Sequence, residues 1–171
     1  EVMCLGQCKM LATLWLNRCT GVTNVSSLGQ CKKLTRLYLD GCTGVTDVSC
    51  LGQCKVLALL NLSDCTGVTD VSGLGQCKML TTLDLTACSV SAEALQHVAC
   101  RFPLLEEVRV SLCVNVDDAT ATCLAEACPR LRCFDVFGCP ELSDAGIEAI
   151  LHHCPALRDL HLSECPSITA A

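Results

Sequence analysis

A phrase of five residues, LGQCK, occurs four times in this 171-residue chain, starting at residues 5, 28, 51 and 74. The interval is 23 residues each time. A looser pattern, L-x-x-L-x-L-x-x-C, continues to the end of the chain, with Val or Phe replacing some of its leucines. Its middle apolar residue lies at positions 14, 37, 60, 83, 108, 134 and 160. Matches at such regular spacing predict one structural unit repeated along the whole chain.

The alternation L-x-L inside each repeat predicts a short β-strand whose apolar side chains all point to one side. One such strand cannot bury its apolar face alone, so neighbouring repeats must stack. Because each connection is long enough to return the chain to the same edge, the strands are predicted to run parallel. The chain is therefore expected to form a single solenoid over residues 1–171, with seven parallel strands.

The connections between strands divide the chain into two parts. In residues 1–88 they read VTxVSxLGQC, and their β-branched residues and glycines favour short 3-10 or irregular turns. In residues 89–171 the repeats lengthen, and Ser91, Asp117 or Asp118, and Ser143 can cap helices over 92–99, 119–127 and 144–153. The first part holds seven basic and six acidic residues, whereas the second holds five and twelve. The acidic charge is thus expected in the second part.

These repeats resemble the leucine-rich repeat family over essentially the whole chain. The sequence from Cys139 to Ile150, CPELSDAGIEAI, is similar to the cysteine-containing subfamily found in F-box-associated proteins. The 23-residue repeats resemble the tandem repeats of trypanosomatid proteins. The resemblance implies an α/β fold: a right-handed, horseshoe-shaped solenoid with a parallel concave sheet. Its convex side would carry short turns first and α-helices later.

The chain has 18 cysteines, and most of them fall into two columns at the repeat period. The column after the strands is Cys19, Cys42, Cys65, Cys88, Cys113, Cys139 and Cys165. The column before the strands is Cys8, Cys31, Cys54, Cys77, Cys100, Cys128 and Cys154. A buried thiol is small, apolar and a weak donor, so the first column is predicted to be structural and to supply donors to carbonyls where the chain leaves the sheet.

Three other interpretations of the cysteines remain open. Neighbours in a column are close enough for disulfides, but their side chains run parallel and each column has an odd number of members. No C-x-x-C pair supports a zinc site, so no metal and no cofactor is expected. Cys133 alone lies on an outward strand position, yet no histidine of its own repeat can activate it as a nucleophile. Reduced thiols favour an intracellular, cytoplasmic location.

The strand positions between the leucines are predicted to line the concave face. We define the concave face as the surface formed by these positions and by the residue two places after each strand. The residues expected to contact a partner are Trp15, Arg36, Tyr38, Asp40, Asn61, Asp84, Arg109, Asp135, Phe137 and His161. Trp15 and Tyr38 fall side by side and are the only Trp and Tyr of the chain, which is typical of a binding anchor. Asp84, Glu107, Asp135 and Asp159 predict an acidic region interrupted by Arg109.

No catalytic motif is recognisable in the sequence, so a non-enzymatic protein-protein interaction module is the leading prediction. Its partner would be a protein, because the net charge of −6 argues against nucleic acid and no apolar run reaches the ~18 residues of a membrane span. Two alternatives remain. The resemblance to F-box proteins suggests the substrate-recognition part of a ubiquitin ligase, and the wider family suggests a fragment of a surface or secreted receptor.

Overall fold

The computed structural model describes residues 2–169, and its centre is one parallel β-sheet. The strands are β1 (Thr13–Trp15), β2 (Arg36–Tyr38), β3 (Leu59–Asn61), β4 (Thr82–Asp84), β5 (Glu107–Arg109), β6 (Cys133–Asp135) and β7 (Asp159–His161). They lie in chain order, and each pairs in parallel with the next in an unbroken register. The seven-stranded parallel solenoid predicted from the repeat is confirmed.

The opposite side of the solenoid changes its secondary structure along the chain. Four 3-10 helices come first: η1 (Val2–Gln7), η2 (Ser26–Gln30), η3 (Ser49–Gln53) and η4 (Ser72–Gln76). Three α-helices follow: α1 (Ala92–Ala99), α2 (Asp118–Ala127) and α3 (Asp144–His153). The Asp117 side chain caps α2 by accepting from the backbone N–H of Thr120 at 2.8 Å, and Ser143 caps α3. No helix among the described residues is long and apolar enough to cross a membrane.

The core fills the space between the sheet and these helices. The middle residue of each strand points inward, and Leu37, Leu60 and Phe134 have no exposed surface. In the five inner repeats the leucine before the strand and the apolar residue after it, such as Leu57 and Leu62, are equally buried. Because each repeat contributes the same set, the core is one continuous column along the stack.

The second cysteine column is interrupted before β5. Cys100 is exposed, whereas Phe102 is 1% exposed and fills the position expected for the cysteine. The carbonyl of Phe102 accepts from the backbone N–H of Leu105, as the carbonyl of Cys31 accepts from Leu34 in an earlier repeat. The residue that fills this column lies three positions before the buried leucine that precedes the strand. Before β5 that residue is Phe102, three positions before Leu105, whereas Cys100 lies two positions earlier still.

The glycine of the LGQC phrase lets consecutive 3-10 helices pack backbone to backbone. A Cβ at Gly29 would lie 2.8 Å from the carbonyl oxygen of Cys50, and one at Gly52 would overlap the carbonyl oxygen of Gly73. At Gly75 the next repeat begins an α-helix instead, and the nearest atom to an added Cβ is a side-chain carbon of Arg101 at 3.4 Å. The phrase therefore needs glycine where two 3-10 helices meet.

We expect Gly52→Ala to lower the free energy of unfolding by about 1–3 kcal/mol, because two packed backbones must move apart. Gly75→Ala is the matched control, since it makes the same change in the same phrase where only a flexible side chain is near. Urea denaturation followed by circular dichroism measures both. Equal losses in the two variants would contradict the close packing of the 3-10 helices.

Candidate functional site

The concave face collects all the residues that the sequence analysis singled out for binding. Eight lie on strands: Trp15, Arg36, Tyr38, Asn61, Asp84, Arg109, Asp135 and His161. Asp40 and Phe137 follow β2 and β6 by two residues. The strand order places them in adjacent columns, because the register aligns each strand residue with its equivalent in the next repeat. That they contact a partner stays a prediction.

An aromatic pair occupies the end of the concave face at β1 and β2. The rings of Trp15 and Tyr38 stack with centroids 5.8 Å apart and planes 9° from parallel. Trp15 is 64% exposed, and Tyr38 is half-buried. Beside the pair, the Asn17 side-chain amide donates to the carboxylate of Asp40. This stack presents a broad apolar surface with polar groups at its edge, which suits a contact with another molecule.

The polar side chains at the last residues of β3, β4 and β6 have a fixed orientation. Asn61, Asp84 and Asp135 each accept, through one Oδ atom, a hydrogen bond from the backbone N–H two residues later, at 2.8, 3.0 and 3.1 Å. The parallel strands end at the same edge, so the turn that follows each one repeats this geometry. The second oxygen of Asp84 faces Arg109 and that of Asp135 faces His161, so little rotamer freedom is left to lose on binding.

The acidic region surrounds Arg109. Its guanidinium pairs with Glu107 and lies 3.8 Å from the carboxylate of Asp84, which is only 9% exposed. Asp135 accepts from the Ser111 hydroxyl, and its other oxygen lies 3.5 Å from Nδ1 of His161. The expected acidic surface is therefore partly neutralised, and Asp84 is largely covered.

A cleft of about 410 Å³ opens between β4 and β7 on the concave face. Glu107, Arg109, Cys133, Asp159 and His161 contribute to its lining. Asp159 is exposed on the last strand. Burial, followed by the charge of Glu107, raises the pKa of the Cys133 thiol, so this cysteine is less ionised than an ordinary one. The cleft thus offers carboxylates and a guanidinium rather than an activated nucleophile.

The cysteine column after the strands lies inside the solenoid. Its members from the second repeat onward are Cys42, Cys65, Cys88, Cys113, Cys139 and Cys165. Each places Sγ 3.0–3.3 Å from a backbone carbonyl oxygen of the preceding repeat. Cys19, in the first repeat, is exposed. Burial raises the pKa of Cys65 to about 11 and of Cys139 to about 12, which keeps these thiols protonated as donors. The column joins consecutive repeats below the sheet rather than lining the concave face.

Sequence reasoning missed the residues that orient the acidic region. Ser111 is buried and tethers Asp135, although its position two residues after β5 carries no special signal. Leu112, next to it, has φ of +60° and is 48% exposed, which no propensity rule predicts for leucine.

Within residues 2–169 no group of three or more His, Cys, Asp or Glu is placed to hold a metal ion.

Comparisons with known proteins agree on the architecture. A family model described as Leucine Rich repeat matches residues 127–151. No curated protein sequence matches the chain. An internalin (inlF) of Listeria monocytogenes has a similar structure over 100% of this chain and 46% of its own, with 17% identity and a TM-score of 0.78. The chain thus spans less than half of that protein.

Two further solved structures are similar at comparable identity. Internalin C2 of Listeria monocytogenes matches 94% of this chain and 74% of its own, with 18% identity and a TM-score of 0.63. A leucine-rich repeat protein of Leptospira interrogans matches 93% of this chain and 44% of its own, with 17% identity and a TM-score of 0.51. At such identities these similarities establish a shared fold.

Proposed function

We propose that this leucine-rich repeat solenoid is a non-enzymatic protein-binding module that contacts its partner with the concave face. The observation that carries the proposal is the exposed stack of Trp15 on Tyr38. Large aromatic side chains at a surface bury much area at a small cost in conformational entropy, and they dominate many protein interfaces.

Two other features support the same function. The backbone of the concave face is held on one side by the leucine core and along the sheet by parallel strand pairing. Its polar side chains are already oriented by Ser111 and by the turns after the strands. Binding to such a surface costs little ordering, so a modest number of contacts can give useful affinity.

Replacing Trp15 or Tyr38 by alanine is expected to weaken binding of the natural partner at least about tenfold, while thermal unfolding changes little. The partner is first captured with the full-length protein, and its affinity is then measured by calorimetry. Leu151→Ala, a truncation of an exposed apolar residue on α3, is the matched control and should leave affinity unchanged. A large loss of stability with intact binding would instead make Trp15 and Tyr38 packing residues.

We also infer that the protein works in a reducing, intracellular compartment. The inference is supported by the buried thiols, which serve as hydrogen-bond donors and would lose that role in disulfides. A count of reactive thiols in the denatured protein from its natural source should approach 18, the number of cysteines in the chain. A count of only a few would favour a secreted protein.

A further inference from the structure

The concave face presents different chemistry at its two ends. At β1 the ring of Trp15 is exposed, and the neighbouring charges of Arg36 and Asp40 are opposite in sign. At β5 to β7 the concave face carries the carboxylates of Glu107, Asp135 and Asp159; Glu107 pairs with Arg109, and Asp135 lies 3.5 Å from Nδ1 of His161. The other arginine of the cleft, Arg132, is paired with Glu106 at 3.1 Å. The cleft end therefore keeps an excess of negative charge.

Both ends suit the same kind of ligand group. A cation is attracted to the exposed face of an indole ring, and carboxylates attract it at the other end. Arginine serves both, because its planar guanidinium stacks on aromatic rings and pairs with carboxylates through two hydrogen bonds. An anionic or purely apolar ligand would satisfy the aromatic end only.

The distance between the ends determines the form of the ligand. Six strand spacings separate β1 from β7, or about 29 Å at about 4.8 Å each. An extended or polyproline segment advances about 3.1–3.4 Å per residue, so about nine residues span that distance. A helix would need about 19 residues at about 1.5 Å each to reach as far.

Resting on the proposed function above, we propose that the partner supplies an extended basic segment that crosses the strands, with one arginine or lysine on the Trp15 ring and another, about nine residues away, against Asp159 and Asp135. The residues between the two cations lie over Tyr38, Asn61 and the strands that follow. The separation of the cations is then what the concave face recognises, in addition to their charge.

The single tryptophan of the chain gives a direct measurement, because its fluorescence reports a cation arriving at Trp15. The probe is a synthetic peptide in which a run of six prolines separates two pairs of arginines; it is stiff and spans the required distance. The composition-matched control carries all four arginines at one end, followed by the six prolines. Each peptide is titrated into the full chain at low ionic strength. We expect the spaced peptide to bind at least about fivefold more tightly, since only it reaches both ends.

Charge reversal locates the second contact. Asp159→Lys should weaken binding of the spaced peptide at least about fivefold. Glu148→Lys makes the same charge change at an exposed site on α3 and should leave that binding unchanged. Equal affinity for the two peptides, no response to Asp159→Lys, or no binding of either peptide would overturn the proposal. If a captured partner still depends on Trp15 and Tyr38 in that case, the binding function stands and only the basic segment is rejected.

Discussion

Raising the pH from 8 to about 10.5 is expected to unfold this chain, because its buried thiols keep their protons in the folded state. Burial raises the pKa of Cys54, Cys65, Cys113 and Cys154 to about 11, and of Cys77, Cys128 and Cys139 to about 12. In the unfolded chain the same thiols ionise near pH 8.5. Between those values the unfolded state binds fewer protons than the folded state.

The sign and size of the effect follow from this difference. The folded-state pKa values are raised, so the stabilisation is fully present below about pH 8.5 and is lost as the pH rises towards the folded-state values. Each thiol that ionises only on unfolding lowers the free energy of unfolding by about 1.4 kcal/mol per pH unit. At that rate, several such thiols together cancel a typical free energy of unfolding, about 5–15 kcal/mol, within two pH units.

Urea denaturation with reductant at pH 7.5, 8.5, 9.5 and 10 measures this loss. Cys65→Ala should reduce the slope by about one thiol's share, about 1.4 kcal/mol per pH unit. Cys19→Ala should leave the slope unchanged, because Cys19 occupies the same repeat position but is exposed. A free energy of unfolding that stays constant from pH 7.5 to 10 would show that the thiols are not held protonated by burial.

The second large effect is expected from Phe134→Ala, which should lower the free energy of unfolding by about 3–5 kcal/mol. Phe134 is the middle residue of β6 and has no exposed surface, so its removal leaves a cavity in the continuous core. Phe137→Ala is the matched control, three residues further along on the half-buried concave side. Phe137→Ala should lower the free energy of unfolding by less than half as much as Phe134→Ala does.

Urea denaturation of the two phenylalanine variants tests the alternation on which the fold depends. If Phe137→Ala were as costly as Phe134→Ala, the concave face would be part of the core and unsuited to a partner. Because the two residues share one repeat and one side-chain type, a difference between them reports their placement rather than local propensity.

The regular parts of the fold were predictable because they depend on local signals. Alternation places Leu37 and its equivalents inside wherever the strand forms, and side chains such as Ser143 cap a helix within their own repeat. Stacking of Trp15 on Tyr38 also follows from the period, because equivalent positions of neighbouring strands lie side by side.

Contacts that link different repeats were not predictable in the same way. Asp118, considered as a cap for its own helix, accepts instead from the backbone N–H and the hydroxyl of Ser143 at the start of the next helix. The near burial of Asp84 under Arg109 likewise depends on which side chains the next strand supplies. Such contacts reflect side-chain reach between repeats, which spacing alone does not encode.

The sequence by itself determined the strand period, the parallel stack, the helix positions and the residues that share the concave face, because periodic burial leaves one consistent arrangement. Only the tertiary structure decided which carboxylates remain exposed and how the charges around Arg109 balance. Those outcomes depend on distances of a few ångströms between side chains more than twenty residues apart, where small differences in reach select one partner over another.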